Sequence, residues 1–309
     1  MFLNISPQFL YGALAIIFAA TLWSLDGTII RPNFYQFPAL SIVFLEHLFG
    51  TILLLPFLFL GGSKIFSMTK KDVFSLIWVS LFGGLLGTFF ITEAFFAAFA
   101  GETTVATVII LQKLQPVFAL SLAALVLKER LSKWFYIWAL VAIFSGYMIA
   151  YGSLGKDIFS LSIFHSAAFY AFLAAFAFGS STVFGKNLVN DLGFRVTTAL
   201  RFLLTTLLAG LAVLVFGDIT SIATLTPFHW QLLVLITFTS GAVALFLYYF
   251  GLRRVPASTA TIFELAWPLT GIFFDWYFNG NILSTIQILF SLLLMLSFFM
   301  IIEEQKNRA

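Results

Sequence analysis

The sequence predicts an all-α integral membrane protein, with ten transmembrane helices arranged as two inverted five-helix repeats. Three observations carry this. Hydrophobic residues make up 61% of the chain and charged residues 9%, with a mean hydropathy of +1.05. A soluble domain could not bury that much apolar surface. The apolar residues fall into ten runs, each with room for the roughly 20 helical residues that cross about 30 Å of hydrocarbon. The first half can also be laid on the second. Residues 23–57 match 178–212 at an offset of 155, which puts Trp23 on Phe178, Asp26 on Ser181, Arg31 on Lys186 and Glu46 on Arg201. Farther on, Pro116 falls on Pro268 and Leu131-Ser132 on Leu283-Ser284 at an offset of 152, about one helical turn shorter. Five spans per copy is odd, so the second copy enters the bilayer from the opposite side. The expected repeats are residues 1–154 and 155–309. A β-barrel is excluded by run length, because barrel strands alternate in segments of about ten residues.

The expected spans follow in order. The first, 8–30, lacks a basic leader and is longer than a signal-peptide core, so it is retained; Trp23 and Asp26 share one of its faces. The second, 38–60, carries Glu46 and His47, which point about 100° apart and form no single chelating face. The third, 73–98, holds Gly83-Gly84-x-x-Gly87, a spacing for close helix contact within one molecule, and then Glu93. The fourth, 103–127, carries Gln112, Lys113 and Pro116, and 134–154 completes the first repeat. The second repeat runs 164–184, 195–217 with Arg201, 229–250 with Tyr248-Tyr249, 256–278 with Glu264, Trp267, Pro268 and Asp275, and 284–302.

Charge sets the topology. One set of connections holds Lys64, Lys70, Lys71, Lys128, Arg130, Lys133, Lys186, Arg195, Arg253, Arg254, Lys306 and Arg308, and the other only Arg31 and Lys156. Twelve against two places both termini in the cytoplasm of a cytoplasmic-membrane protein, and reads as topology rather than nucleic-acid binding. Cysteine is absent, and His47, His165 and His229 are too scattered for a zinc helix. No Walker loop is present. Neither a metal nor a cofactor is expected, and the connections leave no room for a soluble domain.

Seven ionisable residues fall inside spans: Asp26, Glu46, Glu93, Lys113, Arg201, Glu264 and Asp275. Each charge near the bilayer centre costs about 2.5–3.5 kcal/mol. They must therefore pair, lose their charge or line a wet cavity. Five carboxyls against two bases make the interior acid-rich. Lys113 either pairs with Glu93 or Glu264 or contacts a substrate. Asp275 reads as an interface anchor and Arg201 as a packing or snorkelling residue. The prolines point to a site. Pro116 has no N–H for the Gln112 carbonyl, and Pro268 none for the Glu264 carbonyl. Gln112 and Glu264 are repeat-related, so each half offers a polar side chain and a freed backbone acceptor at similar depth. Helices interrupted at corresponding places mark transporter sites; the alternative is a kink that shapes packing alone. Glu264 is the leading candidate, with Thr261 and Trp267 on much the same face; in a low-dielectric cavity its carboxyl can take up and release a proton. The 41 phenylalanines are mostly packing or lipid-facing, with Phe89, Phe90 and Phe178 candidates for a cavity wall.

The pieces together resemble the drug/metabolite transporter superfamily in its ten-helix, EamA-like form. The residues that carry the resemblance are Leu22-Trp23-Ser24, Gln115-Pro116-Val117-Phe118, the Leu127-to-Ser132 block, Arg201-Phe202-Leu203, Trp267-Pro268-Leu269 and Asn279-to-Ser284. The chain departs from the family pattern at Glu46, where relatives carry arginine. The resemblance implies a basket of helices with spans one, three, four, six, eight and nine around a central cavity. Asp26, Glu93, Gln112, Lys113, Tyr170, Tyr248 and Glu264 fall on those spans. The expectation is an alternating-access carrier, monomeric or homodimeric, for a small polar or zwitterionic metabolite such as an amino acid. Glu264 with Glu93 or Asp26 would meet a cationic end, Lys113 and Gln112 a polar or anionic end, and Trp23, Tyr248 and Trp267 the walls. Protons are a candidate coupling ion through Glu264. The competing expectations are an exporter of cationic or aromatic drugs and an intramembrane enzyme acting on a lipid-linked substrate.

Overall fold

The computed structural model describes residues 7–115, 117–119, 121–122, 133–151, 167–217, 219–255, 260, 263–264 and 266–306. Pro116, Thr261, the Leu127-to-Ser132 block and the expected repeat boundary at 154/155 lie outside these residues. The described residues form helices throughout: α1 Pro7–Phe34, α2 Ala39–Phe66, α3 Lys70–Phe99, α4 Val105–Leu111 followed by a 3-10 turn at Gln112–Leu114, α5 Lys133–Tyr151, α6 Ala167–Leu192, α7 Phe194–Phe216, α8 Pro227–Arg254, α9 Ala266–Asn279 and α10 Thr285–Lys306. Among the described residues, α1, α2, α3, α6, α7 and α8 are long and apolar enough to cross a membrane, and shorter apolar helices lie in α4, α5 and α10. The chain is an all-α, multi-pass membrane protein.

The outward stripes say what solvent each helix meets. Leu10, Leu14 and Phe18 on α1, Tyr136, Leu140 and Phe144 on α5, Leu207, Leu211 and Leu214 on α7, and Leu289, Leu292 and Leu296 on α10 are exposed at three- or four-residue spacing. In water such patches would drive aggregation; against lipid tails they are neutral.

The helix contacts are symmetric under exchange of the two halves. The pairs α2–α7, α4–α9 and α5–α10 each join repeat-related helices. The remaining main contacts come in matched sets: α1 packs on α8 and α9, as α6 packs on α3 and α4, and α2 packs on α8 as α7 packs on α3. Thr51 and Thr206 share a hydroxyl hydrogen bond of 2.8 Å while standing 155 residues apart, which is the repeat offset. A residue that touches its own repeat mate sits on the pseudo-two-fold axis.

Small residues allow the close approaches. A Cβ on Gly84 would stand 2.0 Å from Thr205 Oγ1, and one on Gly83 2.5 Å from Ser181 Oγ, so the glycine cluster packs α3 onto α6 and α7 of the same molecule. Gly84→Val is expected to cost about 1–3 kcal/mol by overpacking. Thermal unfolding in detergent checks it, with Thr205→Ala in the same background recovering part of the loss; an unchanged midpoint for Gly84→Val would refute the packing account. Gly193, at φ 83, makes the one-residue reversal between α6 and α7 that a side chain would strain.

Two helices run past their expected ends, with consequences for charge. α1 continues through a π-turn at Asp26–Ile30 and a 3-10 turn at Arg31–Phe34, so Arg31 is buried rather than in a connection. α6 continues to Leu192 and carries Lys186 inside, where its Nζ donates to the Leu252 carbonyl. Arg31 and Lys186 are repeat mates, so the same misplacement occurs in both halves.

Candidate functional site

The irregular backbone recurs at matching places in the two halves. α4 tightens into its 3-10 turn at Gln112, α9 is preceded by a turn at Glu264, α3 widens into a π-helix at Val79–Leu86, and α8 breaks at Thr239–Gly241. Adding the repeat offset to residues 84–86 gives 239–241, so the irregularities of α3 and α8 correspond, as those of α4 and α9 do. A break inside a membrane leaves carbonyls that no water can satisfy. At α4 the Gln115 N–H returns to the Gln112 carbonyl, and four other carbonyls are met by side chains from other helices. Trp23 Nε1 donates to the Ser240 carbonyl at 2.8 Å, Arg201 Nη2 to the Gly83 carbonyl at 2.6 Å and Thr205 Oγ1 to the Ser80 carbonyl at 3.1 Å. The Glu264 carbonyl, which Pro268 deprives of its ordinary partner, accepts from the Trp267 N–H at 3.0 Å and from Lys113 Nζ at 3.2 Å. Lys113 thus reaches the Glu264 carbonyl, whereas the Gln112 carbonyl, expected to be freed likewise, is bonded by the Gln115 N–H.

Around these breaks lies a cavity lined by residues of α1, α2, α3, α4, α6, α7, α8 and α9 and by Glu264 just before α9. Of the candidate residues, Trp23, Asp26, Gln112, Lys113, Tyr248, Glu264 and Trp267 line it. Lys113 Nζ lies 4.8 Å from the centroid of the Trp267 ring, a cation–π contact, and Tyr248 donates its hydroxyl to Glu264 Oε1 at 2.7 Å. Trp23 and Tyr248 pack ring against ring at 5.5 Å. Phe178 also reaches the cavity, whereas Phe89 and Phe90 do not line it. Pro268 is buried in the first turn of α9.

Glu93 and Tyr170 do not line the cavity. Thr88, Ile91 and Phe95 form the cavity face of α3, and Glu93 is two residues, about 200°, round from Ile91. Tyr170 stacks on Phe90 at 6.5 Å and sits eight residues, about 12 Å along α6, from the cavity residue Phe178. Glu93 is therefore not the partner of Lys113.

The charged set also differs from the acid-rich expectation. Asp26 is not free for a substrate cation: its Oδ2 accepts from Arg31 Nη2 at 2.6 Å and Nε at 3.0 Å. The π-turn explains the pairing. It bonds the Arg31 N–H to the Asp26 carbonyl, and the five-residue turn stacks the two side chains on one face. Arg31 Nη1 also donates to Thr92 at 2.8 Å, and Nη2 stands 2.9 Å from Glu46 Oε2 as an ion pair. Arg201 is no snorkelling residue. It lines the cavity, buried, with Nη1 on the Tyr249 hydroxyl at 2.8 Å. The cavity thus sets Asp26, Glu46 and Glu264 against Arg31, Lys113 and Arg201, three carboxyls to three bases. α2 and α7 join the cavity through Glu46, His47, Arg201 and Phe202, beyond the six helices the resemblance implied. His47 stacks on Phe202 at 5.0 Å and bonds the Val43 carbonyl through Nδ1 at 2.8 Å. Asp275 is fully buried and ties α9 to α4, accepting from the Ala106 N–H at 2.9 Å and from Asn279 and Asn281.

Sequence reasoning missed Arg31, Glu46, His47 and Arg201 as cavity residues, along with the break in α8. One signal was available. Arg31 aligns with Lys186, and two bases at one repeat position are unexpected if both sit in loops on opposite sides of the bilayer.

Comparison with known proteins adds identity to this geometry. A family model described as the EamA-like transporter family matches residues 10–151 and again 165–303. A protein of Fusobacterium nucleatum subsp. nucleatum described as the riboflavin transporter ImpX is 37% identical over 289 residues, covering 93% of this chain and 95% of its own. A Salmonella typhimurium protein described as the uncharacterized inner membrane transporter YicL is 27% identical over 186 residues, 59% of each chain. A solved crystal structure superposes with a TM-score of 0.60 over 95% of both chains at 17% identity, a likeness of fold.

Proposed function

Because the chain belongs to the EamA-like transporter family, we propose that it is a riboflavin carrier, working by alternating access of the central cavity across the cytoplasmic membrane. Membership of a transporter family makes the chain a transporter of a small molecule and not an enzyme. The observation that carries the riboflavin reading is the 37% identity, along almost the whole length, to a protein described as a riboflavin transporter. Cavity chemistry supports it. Riboflavin is uncharged, with a flat fused ring and a hydroxylated tail. The cavity balances three carboxyls with three bases, so neither a cation nor an anion is favoured by net charge. Trp23, Phe178, Tyr248 and Trp267 supply flat walls, and Gln112, Lys113 and Glu264 supply polar contacts.

The relatives give amino acids no support, and the cationic-drug reading loses the acid excess on which it stood. The excess of basic residues in one set of connections favours cytoplasmic termini. Two halves, 1–154 and 155–309, rocking about the axis through Thr51 and Thr206 would expose the cavity to either side.

Labelled-riboflavin counterflow in proteoliposomes tests the reading. The expected result is exchange that saturates and is competed by unlabelled riboflavin, but not by amino acids or cationic dyes. Folded protein that exchanges an amino acid and not riboflavin would overturn it.

A further inference from the structure

We propose that Gln112 sets substrate specificity: its Oε1 accepts the imide N–H of the flavin ring while Trp267 Nε1 donates to a carbonyl beside it, a proposal that rests on the riboflavin reading. Both side chains line the cavity, Gln112 at 3% and Trp267 at 7% exposure, and neither Gln112 Oε1 nor Trp267 Nε1 has a hydrogen-bond partner in the protein. Six cavity-lining residues, Asp26, Glu46, Gln112, Arg201, Ser240 and Trp267, each hold a buried side-chain atom without a hydrogen-bond partner. Buried polar atoms are almost always satisfied, and of these the acceptor of Gln112 and the donor of Trp267 are the uncharged pair on the repeat-related helices α4 and α9.

The orientation of the Gln112 amide follows from a one-way chain of hydrogen bonds. The Phe178 carbonyl can only accept, so the Thr182 hydroxyl donates to it, at 3.0 Å. The Thr182 oxygen is then left to accept, and Gln115 Nε2 donates to it at 3.4 Å. Gln115 thereby turns its Oε1 away, and Gln112 Nε2 donates to that oxygen at 2.8 Å. Gln112 Oε1 is what remains, held as an acceptor. Lys113 Nζ, next in the chain, spends one donor on the Glu264 carbonyl and keeps others in reach of the same space. The opening therefore presents an acceptor accompanied by donors.

The isoalloxazine ring carries the complement on its pyrimidine edge, an N–H between two carbonyls. A zwitterionic amino acid has no such edge, nor does an organic cation. The match selects one feature of the substrate rather than its bulk.

The test compares riboflavin with N3-methylriboflavin, measured by quenching of flavin fluorescence on the purified full chain. The wild type is expected to prefer riboflavin about 5- to 100-fold, the range for a buried acceptor left unmet. Gln112→Met, similar in length but without a strong acceptor, is expected to weaken riboflavin by that factor and bring the ratio near one. Equal affinities in the wild type, or a preference that survives Gln112→Met in folded protein, would each overturn the assignment while the riboflavin reading stands. Folded wild type that neither binds nor exchanges riboflavin overturns both.

Discussion

Replacing Arg31 with methionine is expected to cost roughly 3–5 kcal/mol of stability, the penalty for removing one partner of a buried ion cluster. Arg31 is 4% exposed, Asp26 and Glu46 each 5%, and one guanidinium serves both carboxylates and Thr92. Methionine fills much of the volume but leaves two carboxylates facing each other. Losing a carboxylate should cost less, because Arg31 keeps the other. The order of unfolding midpoints in detergent is therefore wild type above Asp26→Asn, and Asp26→Asn above Arg31→Met. Adding Asp26→Asn and Glu46→Gln to Arg31→Met should restore much of the loss, since a cavity lined by neutral amides carries no orphaned charge. An Arg31→Met protein within about 1 kcal/mol of wild type would show that the cluster is solvated and that its burial does not govern stability.

The cluster has no equivalent at the matching positions of the second half. Inverted repeats place Arg31 and its mate Lys186 on opposite sides of the midplane. The positions of Asp26 and Glu46 are occupied in the second half by Ser181 and Arg201. Among the described residues Lys186 has no carboxylate partner, and its Nζ donates to the Leu252 carbonyl.

How much of this was legible in the sequence depends on periodicity. The all-α, multi-pass architecture and the repeat follow from apolar run length and a constant offset, which are properties of the chain alone. The α4/α9 breaks were legible because proline removes a hydrogen-bond donor wherever it stands. The α8 break was not, because Thr239-Ser240-Gly241 contains no proline and is stabilised by Trp23 from another helix. Arg31 was hidden by its place at the end of an apolar run, where hydropathy ends a helix that a π-turn in fact continues. Glu93 and Tyr170 failed for a different reason. They lie on cavity helices, but a family resemblance assigns helices, and the rotation of each helix about its axis is set by packing.

Glu264→Gln is expected to abolish riboflavin accumulation driven by a pH gradient while leaving counterflow in place. The carboxyl accepts a hydrogen bond from Tyr248 at 2.7 Å, and an amide oxygen can accept the same bond, so the local structure should survive. Lys113 holds the backbone of residue 264 rather than its side chain, so that contact survives as well. What the amide cannot do is exchange a proton, and that is the capacity a coupled carrier needs. Counterflow requires binding and reorientation but no net proton movement, which separates the two roles. Lys113→Met is the contrasting variant. It uncovers the Glu264 carbonyl and leaves the cavity with three carboxyls and two bases, so both accumulation and counterflow should fall. Accumulation by Glu264→Gln with an unchanged pH profile would make Glu264 a structural acceptor for Tyr248. The search for the coupling group would then move to the two carboxylates that share Arg31.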